Sequence, residues 1–403
     1  MNPEDAINYN KKSVTDIETK GKKVLLRCDF NVPLDKETGE ITDEGRIIAA
    51  LPTIKYLIEN GAAVIACSHF GRPKGEFKPE YSLAPVARSL IKHLGQPVKM
   101  AKDVIGPDAV KLAAELQPGE VMLLENTRFH KEEEKNDPEF AKKLADLADI
   151  FVSDAFGSVH RAHASTEGVS HYLPAVSGFL LKKELDNIGS AISDPKRPLV
   201  AILGGAKVSD KLGVIRNLLK KADAIIIGGG MAYTFMKAKG GKIGNSLCED
   251  SEIDAVLKME EEAKERGVKF LLPPDSLAAS EFSNDAEPLT VESNAIPDGM
   301  MGMDIGPLSA EIFSNEISLA GTIVWNGPMG VFEFPKFAEG TRAIANAVAE
   351  SGAISIIGGG DSAAAVRKFG LEDKITHIST GGGASLEFME GKLLPGIACL
   401  LDA

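Results

Sequence analysis

Four short apolar runs in the second half of the chain lead into clusters of glycine. The runs are residues 199–203, 224–227, 354–357 and 375–379, and the first glycines that follow them are Gly204, Gly228, Gly358 and Gly381. Continuous apolar runs of this length are typical of strands that are buried on both faces. Glycine lets the backbone turn tightly or approach a ligand closely. The pattern predicts a parallel sheet with a ligand at its carboxyl edge; a general preference of these loops for glycine is the simpler alternative.

The first half of the chain alternates between strand-like and helical patterns. The predicted strands are residues 23–28, 62–67, 121–124 and 150–152, and the predicted helices are residues 47–60, 82–94 and 138–148. Such alternation predicts βαβ units, in which parallel strands are connected by helices. The predicted fold class is therefore α/β.

The length of the chain predicts two domains, because 403 residues exceed what one ordinary hydrophobic core accommodates. Residues 182–192 have a helical pattern, and the Pro-containing cluster at residues 194–198 interrupts it. We therefore expect two Rossmann-like lobes, each a parallel sheet flanked by helices. The predicted lobes are residues 1–181 and 199–393, joined by a connecting helix and hinge at residues 182–198.

Net charge and cysteine usage exclude several classes of protein. The formal net charge of −13 disfavours nucleic acid or an anionic membrane as the main partner. The four cysteines are far apart and form no C-x-x-C pair, which is typical of reduced thiols in the cytosol. Residues 1–12 lack the apolar centre of a secretory signal, and no apolar run approaches the ~18 residues of a membrane span.

Polar and basic residues follow the predicted strands of the first half. They include Asp29 and Asn31, His69 and Arg72, Arg128, and Arg161, while Arg46 begins a predicted helix. In a parallel sheet these side chains lie at the same edge. Several guanidinium groups at one edge of an acidic protein indicate a site for a small polyanion, bound through bidentate contacts. One arginine after a strand is usually a solvated loop residue; four in equivalent places are less easily explained that way.

Other chemistry in the first half has weaker support. His160 and His163 could bind zinc, but their spacing is loose and no thiolate or H-E-x-x-H pattern accompanies them. Cys67 lies two residues before His69, yet a cysteine in a strand is more often a small core residue than a nucleophile. No G-x-S-x-G pattern predicts a serine nucleophile.

Residues 198–211 combine a strand, a glycine turn and two lysines, Lys207 and Lys211. Ser209 and Asp210 are candidate caps for a helix that extends to about residue 221. Free N–H groups and the dipole of a helix N-terminus favour a bound anion. The Walker A pattern is absent. An ordinary turn with solvated lysines remains an equal alternative.

Residues 358–363, GGGDSA, place an acidic residue at a glycine turn. Asp361 suits Mg²⁺, which binds carboxylates together with phosphate oxygens, although a simple N-cap is the more common role. The segment also partly fits the dinucleotide pattern G-x-G-x-x-A, but the next predicted strand is not followed by the acidic residue that would bind a ribose. Glu333 could accept a hydrogen bond from a ribose hydroxyl, although a single acidic residue in a loop indicates no function by itself.

The sequence resembles the phosphoglycerate kinase family from end to end. The motifs that carry the resemblance are RCDFNVPL from Arg27, SHFGRP from Ser68, LLENTRFH from Leu123, DAFGSVHRAHAS from Asp154, LGGAKVSDK from Leu203, VWNGPMGVFE from Val324 and GGGDSAAA from Gly358. Small departures occur at Thr127, at Ser158 and Val159, and at Ser362, and none of them removes a charged group.

The resemblance implies a glycolytic phosphotransferase that reversibly transfers a phosphoryl group from 1,3-bisphosphoglycerate to ADP, giving 3-phosphoglycerate and ATP. The implied phosphoglycerate site consists of Asp29, Phe30, Asn31, Arg46, His69, Phe70, Gly71, Arg72, Arg128 and Arg161. The implied nucleotide site consists of Gly205, Lys207, Lys211, Gly302, Glu333, Gly359, Gly360, Asp361 and Ser362, and Asp361 would also hold Mg²⁺. The expected catalytic residues are Arg46, Lys207, Lys211 and Gly382.

The resemblance also implies a cytosolic monomer with a bending hinge, with no nucleic-acid or membrane partner. Its C-terminal residues 394–403 are expected to pack back on the first lobe. Two other functions are compatible with parts of the sequence: a dinucleotide-dependent oxidoreductase, and a two-lobed anion-binding protein without catalytic activity. Retention of Lys207, Lys211 and Asp361 favours catalysis over binding alone.

Overall fold

A computed structural model describes residues 7–403 of the chain. The chain forms two compact units: the first contains the residues up to Asp186 together with Leu393–Ala403, and the second contains Asn187–Lys392. The prediction about a secretory signal at residues 1–12 falls partly on residues 1–6, which lie outside the described residues. Along residues 7–403, no helix is both long and apolar enough to cross a membrane.

The first unit is built on a six-stranded parallel sheet in the order β3-β4-β2-β1-β5-β6. Its strands are β1 (Lys23–Arg27), β2 (Ala63–Cys67), β3 (Val98–Met100), β4 (Val121–Leu123), β5 (Ile150–Ser153) and β6 (Ala175–Ser177). Its helices are α1 (Gly45–Glu59), α2 (Ala84–Leu94), α3 (Pro107–Glu115), α4 (Lys131–Glu134), α5 (Pro138–Ala145) and α6 (Phe179–Glu184). Because Arg27 pairs in register with Cys67 and Ser153, the strands β1, β2 and β5 end at the same level.

The C-terminal residues of the chain pack on the first unit. The Leu401 N–H donates to the Ala175 carbonyl of β6 over 2.9 Å. The Lys11 ammonium lies 2.7 Å from Asp402 Oδ1. A short helix, Pro395–Ala398, precedes this segment, and the N–H of Gly396 donates to the Val159 carbonyl over 2.8 Å.

The second unit contains another six-stranded parallel sheet, in the order β10-β8-β7-β15-β16-β17. The strands of this unit are β7 (Leu199–Leu203), β8 (Ala224–Ile227), β9 (Lys242–Ile243), β10 (Lys269–Leu271), β11 (Asp275–Ala279), β12 (Leu289–Glu292), β13 (Ala295–Ile296), β14 (Met301–Ile305), β15 (Thr322–Asn326), β16 (Ile354–Gly358) and β17 (His377–Ile378). Its helices are α7 (Ser190–Ser193), α8 (Leu212–Leu219), α9 (Ala232–Ala238), α10 (Ile253–Arg266), α11 (Pro307–Ser318), α12 (Glu339–Glu350), α13 (Gly360–Lys368) and α14 (Gly383–Met389). The two predicted parallel sheets flanked by helices are confirmed.

A smaller antiparallel sheet in the second unit has no counterpart in the sequence prediction. Strand β11 pairs with β12 on one side and with β14 on the other. Three of the four residues of β12 are exposed, so this strand lacks the continuous apolar run that marks the buried strands of the parallel sheet. The remaining strands, β9 and β13, form a two-residue parallel pair.

The segment predicted as a connecting helix is helical but not uniform. Helix α6 begins at Phe179, and its chain continues through a π-helical turn at Leu185–Gly189 into α7. The predicted start at residue 182 was therefore three residues late. Single π turns interrupt the regular hydrogen-bond ladder and are frequent where a helix serves a function.

The start of α6 rests on a buried carboxylate, Asp154. Its Oδ1 accepts hydrogen bonds from the N–H groups of Leu180 at 2.9 Å and Leu181 at 3.2 Å. Its Oδ2 is buried without a hydrogen-bond partner. Burial raises the pKa of Asp154 to about 7, even though hydrogen bonds from Thr53 and from the two N–H groups act in the opposite direction.

We expect Asp154 to make the stability of the first unit depend on pH. A raised folded-state pKa contributes stability that is complete below the ordinary pKa of 3.8 and is lost as the pH rises through about 7. The free energy of unfolding of wild type should therefore fall by up to about 4 kcal/mol between acidic and neutral pH through this group. Asp154→Asn, which has no carboxyl group to titrate, should not show this loss. Urea unfolding across this range measures the difference. Asp146→Asn, which changes an exposed carboxylate of the same unit, is the control; an equal pH dependence for both variants would contradict the expectation.

Candidate functional site

A polar network forms in the first unit where β1 and β2 end. The Asn31 N–H donates to Asp29 Oδ1 over 3.0 Å, and the Gly71 N–H donates to Asn31 Oδ1 over 2.9 Å. Arg46, in the first turn of α1, donates through Nη1 to Asp29 Oδ1 at 3.2 Å and to the Asn31 carbonyl at 2.7 Å. The structure thus brings together Asp29, Asn31, Arg46 and Gly71, which span 42 positions of the sequence.

Asn126 connects this network to the loop that follows β4. Its side-chain oxygen accepts from the N–H groups of Phe70 and Arg128, both at 3.0 Å, and its amide donates to the Phe70 carbonyl at 2.6 Å. Arg128 donates through Nη1 to the Gly71 carbonyl at 2.9 Å. Asn126 was not among the predicted site residues, although it lies within the motif LLENTRFH.

The imidazole of His69 lies in a strongly positive environment. Its pKa is held well below the usual value, first by burial and then by the charges of Arg27, Arg128, Arg46 and Arg161. Three of these arginines were predicted site residues, Arg128 and Arg161 from loops and Arg46 from the start of a helix, and their charges act on one place. A positive potential of this kind favours a bound polyanion.

The remaining predicted residues of the first unit are placed differently. Arg72 and Arg161 have exposed side chains, and Arg161 Nε lies 3.2 Å from His160 Nε2. Phe30 and Phe70 are buried in the hydrophobic core, and their N–H groups donate to Ser68 Oγ and Asn126 Oδ1. These two aromatic side chains therefore stabilise the loops from inside.

The second unit contains a cavity of about 430 Å³ at the carboxyl edge of its parallel sheet. It is lined by Gly204, Gly205, Ala206, Lys207, Asp210, Lys211, Asn326, Gly327, Pro328, Gly359, Gly360, Asp361, Ser362 and Leu386. The register explains why these loops meet, because Asn326 of β15 pairs with Leu203 of β7 on one side and Gly358 of β16 on the other. A side chain at position 204 would lie 2.1 Å from the Pro328 carbonyl oxygen, so close approach of the two loops requires glycine.

The two lysines of the cavity have different environments. Lys207 is exposed, whereas Lys211 is partly buried and its ammonium donates a hydrogen bond to Asn326 Oδ1. Burial lowers the pKa of Lys211 to about 8, while the carboxylates of Asp210 and Asp361 act in the opposite direction. Asn326, the last residue of β15, was not predicted as a site residue.

The predicted cap at Ser209 and Asp210 is wrong. A single 3₁₀ turn at Ser209–Lys211 precedes α8, and Lys211 occupies the N-cap position without a side-chain hydrogen bond. Ser209 instead donates its hydroxyl to Glu249 Oε1 at 2.6 Å and its N–H to Oε2 at 2.9 Å. The Ser209 hydroxyl therefore binds Glu249, which lies 40 residues further along the chain, and does not cap the helix.

Asp361 lies in the first turn of α13 and is exposed. The N-cap position belongs to Gly359, whose φ of 90° lies in the region that favours glycine, so the alternative role of Asp361 as an N-cap is wrong. An exposed carboxylate beside a helix N-terminus and two lysines fits an Mg²⁺ ion that takes its other ligands from phosphate oxygens. Within residues 7–403, no three His, Cys, Asp or Glu side chains form a metal-binding group, which leaves the zinc alternative at His160 and His163 without a third protein ligand.

Three predicted residues lie outside the lining of this cavity. Gly302 belongs to β14, where an added Cβ would lie 1.9 Å from the Tyr233 hydroxyl, and its N–H donates to Ser246 Oγ at 2.8 Å. Glu333 is exposed in the loop after β15. Gly382 precedes α14 with a φ of 51°.

Comparison with known proteins identifies relatives of the whole chain. The family described as phosphoglycerate kinase matches residues 14–392. The phosphoglycerate kinase of Clostridium botulinum strain Hall is 59% identical over 399 residues, which cover 98% of this chain and 100% of that protein. That of strain 657 of the same species is 58% identical with the same coverage.

Two solved structures are similar to this chain. Phosphoglycerate kinase from Coxiella burnetii is 46% identical with a TM-score of 0.91, and the match covers 96% of this chain and 98% of that chain. Phosphoglycerate kinase from Pyrococcus horikoshii OT3 is 36% identical with a TM-score of 0.79 and the same coverage.

We expect anion binding at the cavity of the second unit to weaken as the pH rises through about 8, because Lys211 then loses its charge. A bound anion restores the proton, so binding should take up protons above pH 8, and affinity should fall by up to tenfold per pH unit. Calorimetry with pyrophosphate in buffers of different ionisation enthalpy measures this uptake. Pyrophosphate itself exchanges protons on binding, and wild type should take up protons in addition to these. Lys211→Met should lack this additional proton uptake. Lys207→Met, which removes the exposed lysine, is the matched control and should retain it; loss in both variants would contradict the assignment to Lys211.

Proposed function

The chain belongs to the phosphoglycerate kinase family, and from this membership we propose which residues of each unit bind which substrate. The protein is a phosphotransferase with a carboxyl group as acceptor: it transfers a phosphoryl group reversibly between 1,3-bisphosphoglycerate and ADP, giving 3-phosphoglycerate and ATP. The observation that carries the residue assignment is the meeting of Lys207, Lys211 and Asp361 in one glycine-lined cavity.

The first unit, comprising the residues up to 186 and the tail from 393, binds the phosphoglycerate in this proposal. The positive potential that Arg46, Arg128 and Arg161 produce at His69 supports a ligand with several negative charges. Asp29 and Asn31 orient Arg46 and the loop at Gly71, so they position the site as well as offering polar groups to the substrate. Arg72 is exposed next to this loop and is available for a second anionic group.

The second unit binds the magnesium nucleotide in this proposal. Gly205, Gly359, Gly360 and Ser362 allow the phosphates to approach the backbone at the N-terminus of α13, where the helix dipole favours negative charge. Asp361 is the carboxylate that would hold Mg²⁺, which supplies positive charge to the phosphate oxygens when bound. Gly302 and Glu333 lie outside the cavity lining, and we assign them to the nucleoside end of the ligand.

The reaction needs no general base, because the acceptor carboxylate is already ionised at neutral pH. Catalysis then depends on positioning the two substrates in line and on positive charge near the moving group. Arg46 and Lys207 are both exposed, and we assign to them the positive charge nearest the moving group, with Lys211 and the loop at Gly382 contributing from the nucleotide side. Because the two substrates belong to different units, transfer requires the units to close with exclusion of water.

The family membership removes the dinucleotide-dependent oxidoreductase from consideration. A monomeric state and a cytosolic location remain part of the proposal, carried over from the family.

A coupled assay tests the function directly. Purified protein with 3-phosphoglycerate and MgATP should oxidise NADH when glyceraldehyde-3-phosphate dehydrogenase is present to consume the product. The rate should require every component and disappear on addition of EDTA, because the nucleotide reacts as its Mg²⁺ complex. No turnover from protein that is folded by circular dichroism would leave only a binding function.

Lys207→Ala should lower kcat by roughly 10²–10³-fold while changing nucleotide affinity much less, because its charge stabilises the transferring group mainly in the transition state. Steady-state kinetics with a calorimetric measurement of ADP binding separates the two effects. Lys264→Ala, on the exposed side of α10, is the control and should retain wild-type kinetics. An unchanged kcat in Lys207→Ala would remove Lys207 from the catalytic residues.

A further inference from the structure

We propose that Arg27 fixes His69 as a neutral tautomer with its proton on Nε2, so that His69 offers an uncharged hydrogen-bond donor to the phosphoglycerate anion. The second half of this statement rests on the proposed function; the tautomer itself does not. Arg27 is thereby a positioning residue, since it acts on the substrate through His69.

The contact between the two side chains determines which nitrogen carries the proton. Arg27 is the last residue of β1, and its side chain is 1% exposed. Its Nη2 lies 3.2 Å from His69 Nδ1. A guanidinium group has N–H donors and no acceptor, so Nδ1 must present its lone pair. The proton of the neutral ring is therefore on Nε2.

Two further hydrogen bonds hold the guanidinium in this orientation. Arg27 Nη1 donates to the Cys28 carbonyl at 2.6 Å, and Nε donates to Ser165 Oγ at 2.8 Å. With Nη2 on His69, all three nitrogens of the guanidinium have a partner. The orientation is consequently fixed from three directions rather than by the imidazole alone.

A buried carboxylate completes the chain of contacts. Ser165 donates its hydroxyl to Glu133 Oε2 at 2.6 Å and its N–H to Oε1 at 2.7 Å. Glu133 and Ser165 are both fully buried. Since the serine proton points to Glu133, its lone pair accepts from Arg27, and the directions of all the bonds agree. The negative charge of Glu133 offsets the guanidinium charge that burial would otherwise penalise.

The surrounding charges oppose a second proton on the ring. Burial and the charges of Arg27, Arg128, Arg46 and Arg161 all act to lower the pKa of His69. His69 therefore adds a hydrogen bond to the anion site without adding to the repulsion among the arginines. Because the ring stays neutral, its contribution to substrate binding does not change with pH in the range where histidine ordinarily titrates.

The tautomer is measurable in the wild-type protein without any ligand. Long-range proton–nitrogen NMR spectra of protein labelled with ¹⁵N-histidine distinguish a protonated from an unprotonated ring nitrogen, and His69→Gln identifies the His69 signals. We expect an unprotonated Nδ1, a protonated Nε2 and no titration in the pH range where histidine ordinarily titrates. A proton on Nδ1, or an imidazolium ion in this range, would overturn the proposal.

A pair of arginine variants separates the contact from the general electrostatic field. Arg27→Met should release the ring, giving a mixture of tautomers or a titration that wild type lacks. Arg128→Met removes a nearby positive charge but leaves the contact to Nδ1, so its His69 proton should remain on Nε2. If Arg27→Met does not fold, Arg27→Gln replaces the guanidinium with an amide that can either donate or accept, so position 27 no longer selects one tautomer. A fixed Nε2 proton in whichever of these two variants folds would show that Arg27 is not what determines the tautomer.

Two substitutions at position 69 test the role in binding. The amide nitrogen of glutamine reaches about as far as Nε2, whereas that of asparagine ends near the position of Nδ1. We expect calorimetry with 3-phosphoglycerate to show roughly tenfold or greater weakening for His69→Asn and a smaller loss for His69→Gln. Equal losses would overturn the Nε2 donor. Wild-type affinity in both variants would instead remove His69 from the proposed substrate site, and the tautomer measured without ligand would be unaffected.

Discussion

In both units, the level at which the parallel strands end determines where the loops of the candidate sites lie. In the second unit, Leu203, Asn326 and Gly358 are paired in register, so the loops that follow three different strands begin at one level. In the first unit, Arg27 has the same relation to Cys67 and Ser153. Backbone hydrogen bonds thus place chemistry from distant parts of the sequence at one edge, and each site is built from loops that the sheet itself positions.

The parts of this arrangement that are encoded locally could be predicted from the sequence. A buried parallel strand is a continuous apolar run, and the glycines after it mark a close approach, so β7, β8 and β16 and their loops were recognisable. The antiparallel β12 was not, because most of its residues are exposed. The role of the Ser209 hydroxyl was predicted wrongly and Asn326 was not predicted as a site residue, because their partners, Glu249 and Lys211, are brought near only by the folded chain.

The two units achieve a positive site in different ways. The second unit leaves Lys207 in solvent and buries Lys211 against a neutral amide, so one of its charges is sensitive to its surroundings. The first unit keeps Arg46 and Arg161 exposed and buries Arg27, which donates to Ser165, and Ser165 in turn donates to the Glu133 carboxylate. An arginine inside the apolar run KVLLRC is the local sign of this buried network, since a charged residue is rarely placed there without a partner.

The first unit is discontinuous in the sequence, because Asn187–Lys392 lie between its two parts. During synthesis, the carbonyl of Ala175 on the edge strand β6 has no partner until Leu401 leaves the ribosome. At ordinary translation rates the intervening stretch of roughly 200 residues takes about 10–40 s. An unpaired strand edge is a place where chains can pair wrongly, and before the tail arrives this edge is covered only in part, by Lys12, whose carbonyl accepts from the Ser177 N–H.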